Sequence, residues 1–93
     1  MHVVELEVTP GEETRLLNDF ASRFQPAIAS QPGFVSVQLL RPREGATWLM
    51  LIDFASDNER LAWVATPLHA QVWPLLARSC DAAQGADFDQ VGR

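Results

Sequence analysis

The chain has 93 residues, of which 47% are hydrophobic and 20% charged, and its formal net charge is −5. This length predicts one domain over residues 1–93, without separate catalytic and regulatory parts. The negative charge and the lack of a Lys/Arg cluster argue against nucleic acid or a membrane surface as partners. The longest apolar run, Trp48 to Ile52, is too short to span a bilayer. With no export signal and with Cys80 as the only cysteine, we expect a cytoplasmic protein without an internal disulfide.

The first third of the chain predicts a strand and a helix. Residues 3–8 alternate between apolar and mixed positions, as in a strand with one apolar face. Thr9 as cap, Pro10 at the first helical position and Glu12 as capping-box carboxylate predict the start of a helix there. Its buried stripe should comprise Leu16, Leu17, Phe20, Phe24 and Ile28. Pro26 falls inside this pattern, so we expect a kink or a restart of the helix near Gln25.

The middle of the chain predicts a β-hairpin. Gln31-Pro32-Gly33 turns the chain, and residues 34–41 alternate as a second strand. Residues 42–46 form the hairpin loop. The third strand, residues 47–54, is apolar on both faces.

The last third predicts a broken helix and a final strand. Ser56 to Glu59 is a second capping box. The apolar stripe that follows should comprise Leu61, Val64, Ala65 and Leu68. Thr66-Pro67 and Trp73-Pro74 should divide the segment up to Ala77 into two or three helical pieces. A weak final strand is expected over residues 86–91.

This order of elements, βαββαβ, predicts an α+β fold of ferredoxin-like type with a four-stranded antiparallel sheet and both helices on one face. The third strand is central, so Leu49 and Leu51 would point to the open face. If they stayed in water, the protein would lose about 1.5–3 kcal/mol of burial free energy for each side chain. We therefore expect a homodimer in which a second copy covers this face. Glu5 and Glu7 share that face and require a polar rim or a partner such as an arginine near the hairpin.

Three segments resemble the antibiotic biosynthesis monooxygenase (ABM) family of small proteins that form dimeric α/β barrels. They are Gln31-Pro32-Gly33-Phe34-Val35, Asp53-Phe54-Ala55-Ser56, and Trp63-Val64-Ala65-Thr66-Pro67-Leu68-His69 with Trp73. The resemblance covers most of the chain from Val3 to Leu76, and it specifies the fold better than the activity.

The resemblance implies one of two chemistries. Some members oxidise phenolic, anthrone-like or quinol-like aromatics without a cofactor: the substrate loses a proton and its anion reacts directly with molecular oxygen. Other members degrade haem with an Asn on the first strand and a Trp and a His on the second helical segment. Trp63 matches that Trp, but the Asn position falls near Val4 and the His position near Trp73. Haem degradation is therefore disfavoured, and no cofactor is expected.

Four residues are candidates for the site, each with a structural alternative. His69 is the candidate base, because histidine titrates near neutral pH, although it also suits packing at a helix start. Trp63 and Trp73 are candidates for lining an aromatic-binding cavity, or else they serve packing or the dimer contact. Asn58 is a candidate oxyanion donor, or a residue of a capped first turn facing water. His2 is interpreted as a strand-end residue.

No spacing of His, Cys, Asp or Glu predicts a metal site, and Cys80 near a helix end is expected to be unreactive. The leading hypothesis is a cofactor-independent monooxygenase that acts on a small aromatic. The alternative is a non-catalytic dimer that binds a small ligand or a partner.

Overall fold

The computed structural model describes residues 1–92 and contains the predicted order of elements. In chain order these are β1 (His2–Val8), α1 (Glu13–Asp19), a π-helical turn (Phe20–Phe24), α2 (Gln25–Ala29), β2 (Phe34–Leu40), β3 (Thr47–Phe54), α3 (Asp57–Val64), α4 (Pro67–Ala77) and β4 (Cys80–Asp87). Within residues 1–92, no helix has the length and apolar character needed to cross a membrane.

The four strands form one antiparallel sheet in the order β2-β3-β1-β4, which confirms the α+β ferredoxin-like arrangement. Alternation along the two central strands directs one set of side chains toward the helices. This set is at most 7% exposed and comprises Val4, Leu6, Val8, Trp48, Met50 and Ile52. The core therefore lies between one face of the sheet and the helices.

The first helical segment restarts at Gln25, as predicted, and a π-helical turn precedes the restart. Leu16, Phe24 and Ile28 are buried and Phe20 packs against them, whereas Leu17 is 40% exposed and does not belong to the stripe. The buried positions recur every four residues, which in a regular α-helix advances the stripe by about 40° per step. The wider π turn brings them back into line, and this is why Phe24 still faces the core.

The two predicted caps differ in outcome. Ser56 caps α3 as predicted: its hydroxyl accepts from the Glu59 backbone N–H at 3.2 Å and donates to the Glu59 carboxylate at 2.9 Å. The predicted start of α1 at Pro10 is wrong, since the helix begins at Glu13. Gly11 at φ +87° turns the chain first, and the Thr9 hydroxyl donates to Asp81 at 2.6 Å instead of capping.

The second helical segment divides into two pieces, and its buried face is not the predicted stripe. Leu61 and Val64 are exposed, whereas Trp63 is only 2% exposed. The predicted stripe runs across the break at Thr66-Pro67, but a new helix begins there and changes the direction of the following side chains. Trp73-Pro74 causes no break, because α4 continues through Pro74 to Ala77.

The predicted bounds of the last strand are wrong: β4 spans Cys80–Asp87 rather than residues 86–91. Phe88 and Val91, which suggested a strand, are exposed. β4 is an edge strand of small and polar residues, so its pairing with β1, rather than apolar alternation, defines it.

The open face of the sheet presents half-buried Leu49 and Leu51, as predicted, together with Glu5, which lies across from Leu49, and Glu7, which lies across from Thr47. Glu7 accepts a hydrogen bond from the Thr47 hydroxyl at 2.6 Å. Of the two alternatives, pairing with an arginine is not found among residues 1–92, where neither Arg41 nor Arg43 forms an ion pair with these glutamates. Instead, the guanidinium of Arg41 lies 5.0 Å from the ring centroid of Trp48.

Candidate active site

A cavity of about 270 Å³ lies between the helix-facing side of the sheet and the helices. Its floor is apolar and consists of Val4, Met50 and Ile52 from the two central strands. Leu61 and Val64 of α3 also line it while remaining exposed, so the cavity opens to solvent along α3. An apolar cleft with a few polar groups is the usual form of a small-molecule site.

Aromatic rings form the wall opposite the sheet. Phe24 from the π-helical turn meets Trp63 edge-on, with ring centroids 6.0 Å apart, and Trp73 at 6.5 Å. Both tryptophans line the cavity, as predicted, and Trp63 is also part of the buried core. Trp63 therefore both packs in the core and lines the cavity. Such a wall favours flat aromatic ligands, because ring contacts add to the energy of burial.

His69 lies in this aromatic wall. Thr66 caps α4 by accepting from the His69 backbone N–H at 3.1 Å, and this fixes His69 in the first turn. The imidazole packs edge-on against Trp63 at 5.1 Å and lies nearly parallel to Trp73 at 6.4 Å. Burial lowers the pKa of His69 below 6.5, so at neutral pH the ring is uncharged and able to accept a proton.

The wall nearest β4 holds a second polar group, one that the sequence pattern did not indicate. His2 at the start of β1 lines the cavity, and its Nδ1 lies 2.7 Å from the Asp87 carboxylate. Arg60 of α3 also lines the cavity and reaches Asp87 at 3.2 Å. The hydrogen bond from His2, followed by the charge of Arg60, lowers the pKa of Asp87, which is therefore ionised at neutral pH.

Asn58, the candidate oxyanion donor, lies outside the cavity. It is exposed in the first turn of α3 and is not among the lining residues. The inward side of α3 carries Arg60, Trp63 and Val64, and Asn58 falls on the other side of the helix. Arg60, two positions later, lines the cavity instead, and its guanidinium carries hydrogen-bond donors. The i, i+3 spacing of Arg60 and Trp63 was the available signal.

Cys80 and metal ligation offer no alternative chemistry within the described chain. Burial, and then the charge of Asp81, raise the pKa of the Cys80 thiol, which leaves it protonated and weakly nucleophilic. In residues 1–92, no three His, Cys, Asp or Glu side chains are grouped as metal ligands.

Comparison with known proteins identifies relatives of this fold. The family model described as antibiotic biosynthesis monooxygenase matches residues 1–73. No curated protein matches the sequence significantly. Among solved structures, SnoaB, a cofactor-independent oxygenase from Streptomyces nogalater, is 22% identical, with a TM-score of 0.86 over 99% of this chain and 92% of that one. A conserved protein from Methanosarcina mazei Go1 is 14% identical, with a TM-score of 0.78 over 91% and 85%.

A third similar structure is a variant of MhuD with two manganese protoporphyrin IX molecules bound per active site. It is 27% identical, with a TM-score of 0.76 over 99% of this chain and 94% of that one. The cavity of the present chain is small for such a ligand. Its volume of about 270 Å³ lies below the range of drug-sized pockets, and the Trp73 and Phe24 rings occupy its wall.

Proposed function

Since the chain belongs to the antibiotic biosynthesis monooxygenase family, we propose that it is a cofactor-independent monooxygenase, formed by one ABM domain, that oxidises a small aromatic with molecular oxygen. The observation that carries the proposal is an aromatic cavity with an uncharged imidazole, His69, in its wall. The likeness to a cofactor-independent oxygenase supports the same conclusion.

The proposed reaction begins with a flat, anthrone-like hydroxyaromatic, which has an acidic ring CH2 group, held against Trp63 and Trp73. His69 accepts a proton from an acidic C–H of the substrate, and the electron pair stays on the ring as a delocalised anion. This anion reduces oxygen directly. One oxygen atom becomes the new carbonyl of a quinone, the other leaves as water, and the two hydrogens lost by the carbon enter that water. Arg60, a cation in the cavity wall, stabilises the negative oxygen that develops.

Oxygen uptake by the purified protein tests this proposal. A panel of hydroquinones and anthrones is supplied without flavin, metal or haem, and oxygen consumption is followed with an electrode. The wild type should consume oxygen with at least one compound. His69→Phe, which retains a flat ring, should lower kcat by about 10²–10⁴-fold. Gln71→Ala, exposed on α4 and outside the cavity, is the matched control.

No uptake with any compound would contradict the oxygenase proposal, and full activity of His69→Phe would remove His69 as the base. The second candidate is a non-catalytic protein that binds a small ligand. The apolar floor of the cavity, formed by Val4, Met50 and Ile52, would hold a ring by burial alone without any reacting group, and this supports the second function. Ligand binding without oxygen uptake or product formation would support this second function.

We further propose that the protein works as a homodimer, with the open face of its sheet against a second copy. The half-buried Leu49 and Leu51 and the 41% exposed Leu40 make this face apolar at its centre. Light scattering at micromolar concentration should give twice the chain mass. Leu51→Glu should give a monomer, because it buries an unpaired charge in the contact, whereas Val91→Glu, beyond β4, should not. A monomeric wild type would refute the dimer.

A further inference from the structure

A hydrogen bond to Asp87 fixes the orientation of the His2 ring. An ionised carboxylate only accepts hydrogen bonds, so the 2.7 Å contact requires that Nδ1 of His2 carries the hydrogen and donates it to Asp87. In the neutral imidazole, the lone pair then lies on Nε2. The tautomer of His2 is thus fixed by its partner, as in the histidine–carboxylate pairs that activate nucleophiles and bind metals.

The Nε2 edge of this ring lies over Gly85 in the cavity wall. A Cβ atom at Gly85 would come within 2.7 Å of Nε2 and 3.0 Å of Cε1. The backbone of Gly85 does not have a positive φ, so the missing side chain matters here for the space it leaves. Gly85 and His2 both line the cavity. The free lone pair is therefore held at the β4 side of the site.

Asp87 is itself held in place from a second element. Arg60 reaches the same carboxylate oxygen as His2, at 3.2 Å, and its side chain is only 14% exposed. The ring of His69, by contrast, forms no hydrogen bond within residues 1–92 and is positioned only by packing against two indoles. Of the two imidazoles in the cavity, His2 is the one with a defined direction.

We propose that His2, oriented by Asp87, is a second proton-accepting residue of the cavity, which binds the hydroxyl group of the substrate at Nε2. The step rests on the proposed oxygenase function. The substrate O–H bond breaks, its proton moves to Nε2, and the electron pair stays on the oxygen as a phenolate; His2 returns this proton to the same oxygen when the product forms. The Asp87 carboxylate balances the imidazolium charge, while His69 on the opposite wall takes the proton from carbon. Asp87 and Arg60 are positioning residues.

A binding experiment tests His2 without any turnover. Dissociation constants for 2-naphthol and for its methyl ether, 2-methoxynaphthalene, are measured by calorimetry without oxygen. The ether cannot donate a hydrogen bond, so the wild type should prefer the naphthol by about 2- to 10-fold. The tag is placed at the C-terminus, because the N-terminal ammonium donates to the Phe88 carbonyl at 3.0 Å.

Four variants sharpen the test. His2→Phe should bind both compounds equally, and Gly85→Ala should do the same because its Cβ displaces the ring without removing it. Asp87→Asn should reduce the preference and Asp87→Glu should restore part of it. Asp19→Asn, which breaks an ion pair of 2.9 Å with Arg78 away from the cavity, is the matched control for Asp87→Asn and should change nothing.

Each outcome bears on one of the two proposals. A retained hydroxyl preference in His2→Phe, or no binding of either compound to the wild type, overturns the role of His2. A hydroxyl preference that depends on His2, without oxygen uptake, refutes the oxygenase and leaves His2 as a ligand-binding residue. Where oxygen uptake is measured, His2→Phe should lower kcat, and Asp87→Asn should lower kcat more than it raises KM, with rescue by Asp87→Glu. Wild-type kcat in both variants would overturn the proton-transfer step.

Discussion

Phe24 connects the π-helical turn to the cavity, and its removal should cost both stability and ligand selectivity. The ring is 1% exposed and touches both tryptophans of the wall. Phe24→Ala should lower the free energy of unfolding by about 3–5 kcal/mol. The lost ring contacts, each about 0.5–1.5 kcal/mol, place the expected value in the upper half of that range. The melting temperature should fall by at least about 16 °C, at about 4–8 °C per kcal/mol.

The assay is urea unfolding followed by far-ultraviolet circular dichroism, at one fixed protein concentration because dimer formation would contribute to stability. Leu76→Ala is the matched control: this α4 side chain is fully buried but does not line the cavity. Both variants should lose comparable stability, about 2–5 kcal/mol for Leu76→Ala. Only Phe24→Ala should change the affinity for naphthalene. A loss below about 1 kcal/mol for Phe24→Ala would refute the close packing of this ring against the two indoles.

Three further predictions concern the site and the turns. Because burial lowers the pKa of His69 in the folded state, the unfolded chain takes up that proton first as the pH falls. Urea titrations should show wild-type stability decreasing below pH 6.5 relative to His69→Gln, and parallel pH curves would contradict this. Gly45→Ala should lower the free energy of unfolding by about 1–2 kcal/mol, because Gly45 has a positive φ. Gly33→Ala should lower it by more, because Gly33 also has a positive φ and its new Cβ would in addition displace the carboxylate of Glu59. A smaller loss at Gly33 would be the contrary result. Thr66→Ala should lower the free energy of unfolding, measured by thermal unfolding, by about 0.5–2 kcal/mol. Thr66→Ser should be close to the wild type in stability, because serine restores the capping hydroxyl.

The fold was predictable because its signals are local and repeated. The alternation in β1 and β3 and the cap at Ser56 act within a few residues, and the structure contains each of them. The bounds of β4 were not predictable, because its residues carry little apolar signal and its extent depends on pairing with a strand more than seventy residues away.

The candidate site was predictable only in part. Trp63, Trp73 and His69 follow from the family pattern, and the structure brings them together in one wall. The opposite wall depends on the contact of His2 with Asp87, 85 positions apart, and no short spacing indicates it. Asn58 lies outside the cavity because its side chain points about 200° around the helix from that of Arg60, and the phase of α3 is set by the burial of Trp63.

The π-helical turn also bears on how such a chain tolerates changes in length. A π turn holds one more residue than an α turn, so it absorbs a single insertion without rotating the helix on either side. Deleting Ala21, which is exposed within this turn, would convert it to an ordinary α turn and leave Leu16 and Ile28 facing the core. The same deletion inside α4 would rotate everything after it by about 100°. The cavity wall at Phe24 is therefore the place where relatives of this chain can differ in helix length and keep the fold.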